Sequence, residues 1–234
     1  MLVERISAGS REVPDARRAA RAARIAGLYA VTPDLADTPV LAAKVAAALD
    51  GGAAVVQYRN KLASAELRRA QAQALARVHA LRGGLYIVND DPMLAVDVDA
   101  DGVHVGEDDA DLPDARRQVG PDRVIGVSCY DSLARARAAV DAGADYVAFG
   151  SFFASSVKPA ARHAQMSLLR RARDLGVPIV AIGGITSENA GVLIDAGAHA
   201  TAVISDVFAH DDPAHVTRAA QAFEALFRRA RTRH

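Results

Sequence analysis

Lysine is scarce in this chain, with three residues against twenty-five arginines, and two of the three follow closely on the polar ends of apolar runs: Lys61 and Lys158. In Ala53-Ala54-Val55-Val56-Gln57-Tyr58-Arg59-Asn60-Lys61 a buried-strand pattern breaks off into polar residues, and the period of two of extended chain sends Gln57, Arg59 and Lys61 to one side. Two cations and an amide at a strand end suit an anion, most simply phosphate. A strand end whose basic side chains are solvated or paired with a helix gives the same pattern, so the rest of the chain must decide.

Other apolar runs end in the same way. Their closing residues are Asn89-Asp90-Asp91, His104 through Asp109, Ser128, Gly150-Ser151 leading to Lys158, Gly183-Gly184 and Ser205-Asp206. In Val88-Asn89-Asp90-Asp91-Pro92, Asp91 stands before a proline at a first helical position and reads as an N-cap, which leaves Asp90 for other work. Asp109, beyond the next strand, can meet Asp90 in space. Two carboxylates beside Arg59, Lys61 and Lys158 fit a Mg²⁺ that bridges to a diphosphate, because magnesium takes one or two carboxylates together with phosphate oxygens and water. The plainer role for Asp109 is a turn or helix-start carboxylate in an acidic loop. His104 sits among apolar neighbours and reads as a packed, hydrogen-bonded histidine. No nucleophile elbow, Cys/His metal spacing, dinucleotide fingerprint or Walker loop occurs, which removes the support for hydrolase, redox and nucleotide-triphosphatase chemistry.

These residues need a scaffold that gathers strand ends. From Gly27 onward β-branched runs alternate with Ala/Arg/Leu-rich segments of helical period, the pattern of successive βα units and a parallel sheet. Eight strands are predicted, near 27–32, 53–58, 85–89, 102–105, 124–128, 145–149, 178–182 and 200–204. Helices are predicted at 39–50, 64–81, 92–97, 112–119, 131–142, 165–175, 187–196 and 213–230. Three helix-to-strand joints nearly repeat, Asp50-Gly51-Gly52-Ala53, Asp141-Ala142-Gly143-Ala144 and Asp195-Ala196-Gly197-Ala198, each with a glycine that can cap the helix and an alanine that opens the strand. Eight units with no long linker point to one (β/α)8 barrel over residues 26–234, preceded by a partly helical or frayed extension over 1–25; an open doubly wound sheet is the alternative. Both place the site at the carboxyl ends of the strands. The residues before each strand are mostly Gly, Ala or Pro, so the polarity is expected on one face only. On a barrel, Ile182-Gly183-Gly184-Ile185-Thr186 and Ala202-Val203-Ile204-Ser205 follow strands seven and eight, where backbone N–H groups bind phosphate.

Composition agrees with a compact, core-forming protein. Of 234 residues 51% are apolar, and the formal charges sum to zero, so no global field recruits nucleic acid or an anionic membrane. The single cysteine, Cys129, cannot form an internal disulfide and reads as a small buried strand residue, in keeping with a reducing cytosol. No apolar run reaches the length of a membrane span, and residues 1–25 lack a secretory apolar stretch, so a cytoplasmic location is expected.

With these residues assembled, the chain resembles the thiamine-phosphate synthase family from about Gly27 to the last helix. The resemblance rests on Gln57-Tyr58-Arg59-Asn60-Lys61, Ile87-Val88-Asn89-Asp90-Asp91, Gly102-Val103-His104-Val105-Gly106 through Asp109, Gly126-Val127-Ser128, Gly143-Ala144-Asp145-Tyr146-Val147 and Ala181-Ile182-Gly183-Gly184-Ile185, in the family's order. It implies a (β/α)8 barrel that joins 4-amino-2-methyl-5-pyrimidinylmethyl diphosphate to a thiazole phosphate and releases diphosphate. Carried over by position, the run Gln57, Tyr58, Arg59, Asn60, Lys61 together with Asn89, Ser128 and Lys158 would hold the pyrimidine diphosphate. Asp90 and Asp109 would ligate Mg²⁺. Ser155, Ser156, Val157, Gly184, Ile204 and Ser205 would hold the thiazole phosphate. The implied partners are these small molecules, with homo-oligomer formation left open.

Three positions depart from the family's pattern. Glu107 stands where a glutamine is frequent, Ala154 where a proline is frequent, and Ser155-Ser156-Val157 replaces a frequent Thr-x-Thr, so that a hydroxyl is missing at Val157. These departures bear on thiazole phosphate affinity more than on reaction type. Two other readings remain at this stage: a thiazole tautomerase-like barrel, whose histidine near Ser128 is here Tyr130, and a non-catalytic phosphate-binding paralogue.

Overall fold

The computed structural model describes residues 16–106, 111–154 and 164–233. Eight parallel strands follow one another around a closed barrel: β1 Gly27–Val31, β2 Val55–Tyr58, β3 Leu85–Asn89, β4 Gly102–Val105, β5 Val124–Tyr130, β6 Tyr146–Gly150, β7 Ile179–Ile182 and β8 Ala200–Val203. Pairing of β1 with β8 closes the ring, with Gly27 opposite Ala200 and Ala30 opposite Val203. The helices are α1 Ala16–Ala22, α2 Thr38–Asp50, α3 Ala65–Arg82, α4 Pro92–Asp97, α5 Leu112–Val119, α6 Leu133–Asp141, α7 Ser167–Ala172, α8 Ala190–Ala196, α9 Ser205–Phe208 and α10 Pro213–Arg231. The doubly wound alternative is thereby excluded.

Alternation along the strands divides the core in two. Leu28, Ala30, Val56, Tyr58, Tyr86, Val88, Val103, Ile125, Val147 and Phe149 point outward and pack against the helices. Tyr29, Val55, Leu85, Ile87, Val124, Tyr146, Val180 and Ala200 fill the interior. Helix starts are fixed locally, as the caps Asp37 to Val40 N, Ser64 to Leu67 N and Ser132 to Arg135 N show, at 2.9, 3.1 and 3.2 Å. Each such cap contributes on the order of 1 kcal/mol. The three repeated joints do carry a positive φ at Gly52, Gly143 and Gly197. Three of the strands begin later than expected, at Val55, Tyr146 and Ile179; before the first two, the alanine after the glycine still belongs to the turn.

The amino-terminal end of the barrel differs from the sequence expectation. Asp101 and Asp145, each just before the start of a strand, bring charge to that end, and the structure pairs both. Asp145 is buried between Arg116 Nη2 at 2.6 Å and Arg18 Nε at 3.4 Å, and it accepts Ile125 N at 2.8 Å. Burial raises its pKa, against the pull of that backbone bond and of the two arginines. Asp101 accepts Arg21 Nε at 2.9 Å and Tyr86 N at 2.9 Å. Arg18 and Arg21 come from α1, so the described part of the extension is docked across this end of the barrel, with Ile25 reaching the interior. The polarity here is structural, closed by arginines, and leaves the opposite end for ligands.

Candidate active site

At the carboxyl end, the chain leaving β2 is held from three sides. Gln57 is buried and its Nε2 donates to Asn89 Oδ1 on β3 at 2.9 Å. Thr32, just past β1, accepts Arg59 N through its hydroxyl at 2.8 Å and donates to Arg59 O at 2.8 Å. Arg59 Nη1 lies 3.1 Å from Asp34 Oδ2, and Lys61 N donates to Asp34 Oδ1 at 2.7 Å. One carboxylate therefore fixes both the guanidinium and the backbone of the neighbouring lysine. Lys61 Nζ then reaches across to Asp90 Oδ2, 3.6 Å away on the loop after β3. Gln57, Asn89, Arg59, Lys61 and Asp90 thus share one side of the mouth, with Gln57, Arg59 and Lys61 on the same side as their period of two predicts.

Asp90 is set apart from its neighbour by backbone geometry. Its φ is 61°, and its N–H donates to His104 O at 2.8 Å, which lifts it out of the helix that follows. Asp91 caps that helix by accepting Leu94 N at 2.9 Å, as expected. A part-exposed carboxylate beside a lysine is a suitable hard-oxygen donor for magnesium, which asks for one or two such groups. Among the described residues no cluster of three or more His, Cys, Asp or Glu could hold a metal by itself. Asp109, the second expected ligand, lies outside the described residues, as do Glu107, Ser155, Ser156, Val157 and Lys158.

The opposite side of the mouth is built by two glycines. Gly183 and Gly184 have φ of 104° and 63°, and a Cβ on either would collide with the loop after β6: with Ser151 at Gly183, and with Phe153 O and Ala154 O at Gly184. Glycine here allows two loops to touch. Gly184 O accepts Asn189 Nδ2 at 3.0 Å, and Ser187 N donates to Asp206 Oδ2 at 2.9 Å, so the loops after β7 and β8 are tied together. Ile204 precedes the one-turn helix α9, which opens at the exposed Ser205. The third lysine, Lys44, is buried and donates to Phe208 O at the far end of α9 at 3.1 Å while pairing with Asp211 at 2.8 Å.

Below the mouth the barrel interior is polar along one line. Ser128 Oγ lies 2.9 Å from His104 Nε2, His104 Nδ1 lies 3.1 Å from the Tyr146 hydroxyl, and that hydroxyl lies 2.8 Å from Tyr29's. Burial raises the pKa of both tyrosines far above the ordinary phenol range, so both keep their protons. The expectation of a packed, hydrogen-bonded histidine at 104 is met.

Two members of the expected binding run face the other way. Tyr58 points out of the barrel, where its hydroxyl donates to Gln71 Oε1 on α3 at 3.0 Å. Asn60 Nδ2 donates to Leu35 O and to Gln71 Oε1, each at 3.0 Å, while its Oδ1 accepts Leu62 N and Ala63 N at 3.3 and 3.1 Å. Both are structural supports of the loop that carries Lys61. Asp34 and Thr32 were missed, although they follow the first strand as the other site residues follow theirs. Cys129 is buried on β5, and burial pushes its thiol up to about 12, which leaves it unreactive.

A closed βα barrel with cations, a carboxylate and an amide pair on one side of its mouth, and a glycine turn and serine on the other, belongs among barrel enzymes that handle phosphorylated substrates. The comparisons with known proteins agree. The family model described as thiamine monophosphate synthase matches residues 28–207. Thiamine-phosphate synthase of Chromobacterium violaceum is 53% identical over 196 residues, covering 84% of this chain and 95% of that protein. That of Aromatoleum aromaticum is 51% identical over 205 residues, covering 87% and 97%. The solved thiamine phosphate pyrophosphorylase of Pyrococcus furiosus superposes with a TM-score of 0.79 at 31% identity, over 90% of this chain and 98% of that one. The chain belongs to the thiamine monophosphate synthase family.

Proposed function

We propose that this enzyme joins 4-amino-2-methyl-5-pyrimidinylmethyl diphosphate to a thiazole phosphate, giving thiamine phosphate and diphosphate. Family membership carries the transferase assignment. The observation that carries the assignment of the halves of the site is the Arg59/Lys61 pair, fixed by Asp34 and facing Asp90 on one side of the mouth. A diphosphate leaving group belongs there, because two cations and the Gln57–Asn89 amide pair can meet its oxygens without rearranging the strand ends.

Leaving-group departure from the pyrimidinylmethyl carbon makes the aminopyrimidine side a cation and the diphosphate side more negative. Arg59 and Lys61 favour that charge separation, since groups already in place lose little by waiting for it. Lys158 is assigned to the same leaving group by the family's pattern. The thiazole nitrogen then captures the carbon, and no protein nucleophile takes part. Asp90 and Asp109 are the residues that would hold Mg²⁺, which supplies further neutralisation of the diphosphate when bound. Gly184, Ile204 and Ser205, with the 155–157 segment, are assigned the thiazole phosphate, supported by the tie between the loops after β7 and β8. The position after Ser128 where a tautomerase would carry its histidine is Tyr130, which lies half-exposed against Arg135. No described helix is long and apolar enough to cross a membrane, which is compatible with a cytoplasmic location.

Turnover of the two synthetic substrates with Mg²⁺, followed as thiamine phosphate by chromatography, tests the proposal. Formation of thiamine phosphate that requires both substrates is expected; tight binding of both without product would mark a binding paralogue.

A further inference from the structure

The line Tyr29, Tyr146, His104, Ser128 crosses four strands, β1, β6, β4 and β5, and ends at a residue assigned above to the diphosphate substrate. Two observations give it a direction. Tyr29 is buried to 1% exposure among Ile25, Val31, Val55 and other apolar side chains, and its hydroxyl has one partner among the described residues, Tyr146. Gly126 faces this point of the interior, and a Cβ there would collide with the Tyr146 ring, so the site is shaped to seat that ring.

A phenol has one proton to give. If Tyr146 donated to Tyr29, the Tyr29 proton would be left among buried apolar side chains with no acceptor among the described residues, an arrangement that buried donors avoid. Tyr29 therefore donates to Tyr146. Tyr146, with its acceptor site taken, donates in turn to His104 Nδ1. A neutral imidazole that accepts at Nδ1 carries its proton on Nε2, which donates to Ser128 Oγ. The serine proton is then the one left over, and it is turned toward the mouth.

We propose that Tyr29, Tyr146 and His104 are positioning residues that lock the His104 tautomer, so that Ser128 presents its hydroxyl proton as a donor to the bound pyrimidine diphosphate. This rests on the assignment of Ser128 to that substrate. Without the chain the Ser128 hydroxyl can satisfy itself by donating to His104, and the substrate meets an acceptor where it needs a donor. Substrate anions reward the donor orientation, and the tyrosines enforce it from the barrel's interior, well away from the reacting atoms.

The first test reads the tautomer without substrate. In protein labelled with 15N at histidine, under mildly alkaline conditions that keep imidazoles neutral, His104 resonances are assigned by their loss in the His104→Phe variant. A proton on Nε2 and a bare Nδ1 are expected, with mixed tautomers in Tyr146→Phe. A proton on Nδ1 in the wild type overturns the proposal, whether or not the enzyme turns over its substrates. The second test is kinetic. His104→Phe should raise KM for the pyrimidine diphosphate about 10-fold, the loss of one bond to a charged partner, and leave KM for the thiazole phosphate within about twofold. In a Ser128→Ala background, where there is no hydroxyl to orient, the same substitution should add less than about twofold. Equal factors in both backgrounds would show that His104 does not act through Ser128.

Discussion

Tyr58 lies inside a run of residues that otherwise reaches the ligand mouth, so its replacement separates motif from geometry. Tyr58→Phe removes one hydroxyl that is buried between β2 and α3 and donates to Gln71 Oε1 at 3.0 Å. The acceptor is not orphaned, because Asn60 Nδ2 donates to the same oxygen at 3.0 Å. The loss is therefore that of one neutral hydrogen bond with no stranded partner, about 1 kcal/mol. For a chain of this length that lowers Tm by roughly 2–4 °C. Nothing in the substitution reaches Gln57, Arg59 or Lys61, so kcat and both KM values should stay within about twofold. Asn60→Ala makes the contrast. It removes the two amide donations and the two acceptances that turn the chain just after Lys61, so it should lower Tm further and also raise KM for the pyrimidine diphosphate. Thermal unfolding by circular dichroism and initial rates on both variants decide the matter. If Tyr58→Phe raised KM for the diphosphate substrate tenfold with Tm unchanged, the assignment of Tyr58 to the outer shell would be refuted.

Other consequences can be measured on the same protein. Asp90→Asn should lower kcat/KM and raise the Mg²⁺ concentration needed for half-maximal rate, since asparagine tolerates the φ of 61° but gives up the charge; Asp91→Asn should be mild because asparagine caps helices well, and a reversal of that order in Mg²⁺ titrations would refute the metal assignment. Ser205→Ala should weaken thiazole phosphate by about 1–3 kcal/mol and spare the pyrimidine diphosphate in calorimetric titrations; the opposite pattern means the halves of the site are exchanged. His79, stacked on Tyr86 with centroids 4.6 Å apart, is held down to about 4 chiefly by burial, against a weaker pull from Asp101 and the Gly83 and Gly84 backbone. Because the fold keeps it neutral while the unfolded chain takes up a proton at the ordinary value of about 6.5, its stability contribution is full above that value and falls by up to ~3 kcal/mol as pH drops to about 4. His79→Phe should flatten that part of the denaturation-midpoint profile relative to wild type, and parallel profiles would refute the account.

The barrel was legible because its information is local. Most βα units announce themselves by a short apolar run, a turn glycine and a helix of capped or amphipathic pattern, and eight such units without a linker leave few ways to close the sheet. Missed features depend on partners distant in sequence. The one-turn helix α9 is too short to show a period and is held at its end by Lys44, 164 residues before Phe208. Arg18 and Arg21 look like part of a basic tail until Asp145 and Asp101 are brought to them by the barrel's amino-terminal end.

For the site, residue type and strand position named Arg59, Lys61 and Asp90, and the period of two sent Gln57, Arg59 and Lys61 to one side, whereas what Tyr58 and Asn60 hold behind them had to come from structure. The run from Gln57 to Lys61 shows why. Strand geometry sends alternate residues to opposite faces of the barrel wall, so a contiguous motif contains two populations. Gln57, Arg59 and Lys61 meet Asn89, Asp34 and Asp90 at the mouth. Tyr58 and Asn60 meet Gln71 behind it. The second population is constrained by the first, because a loop can hold a lysine toward a diphosphate only if its other face is anchored. A motif of this kind is thus one binding surface and its own scaffold read in alternation, and substitutions within it should divide between KM and Tm by parity of position.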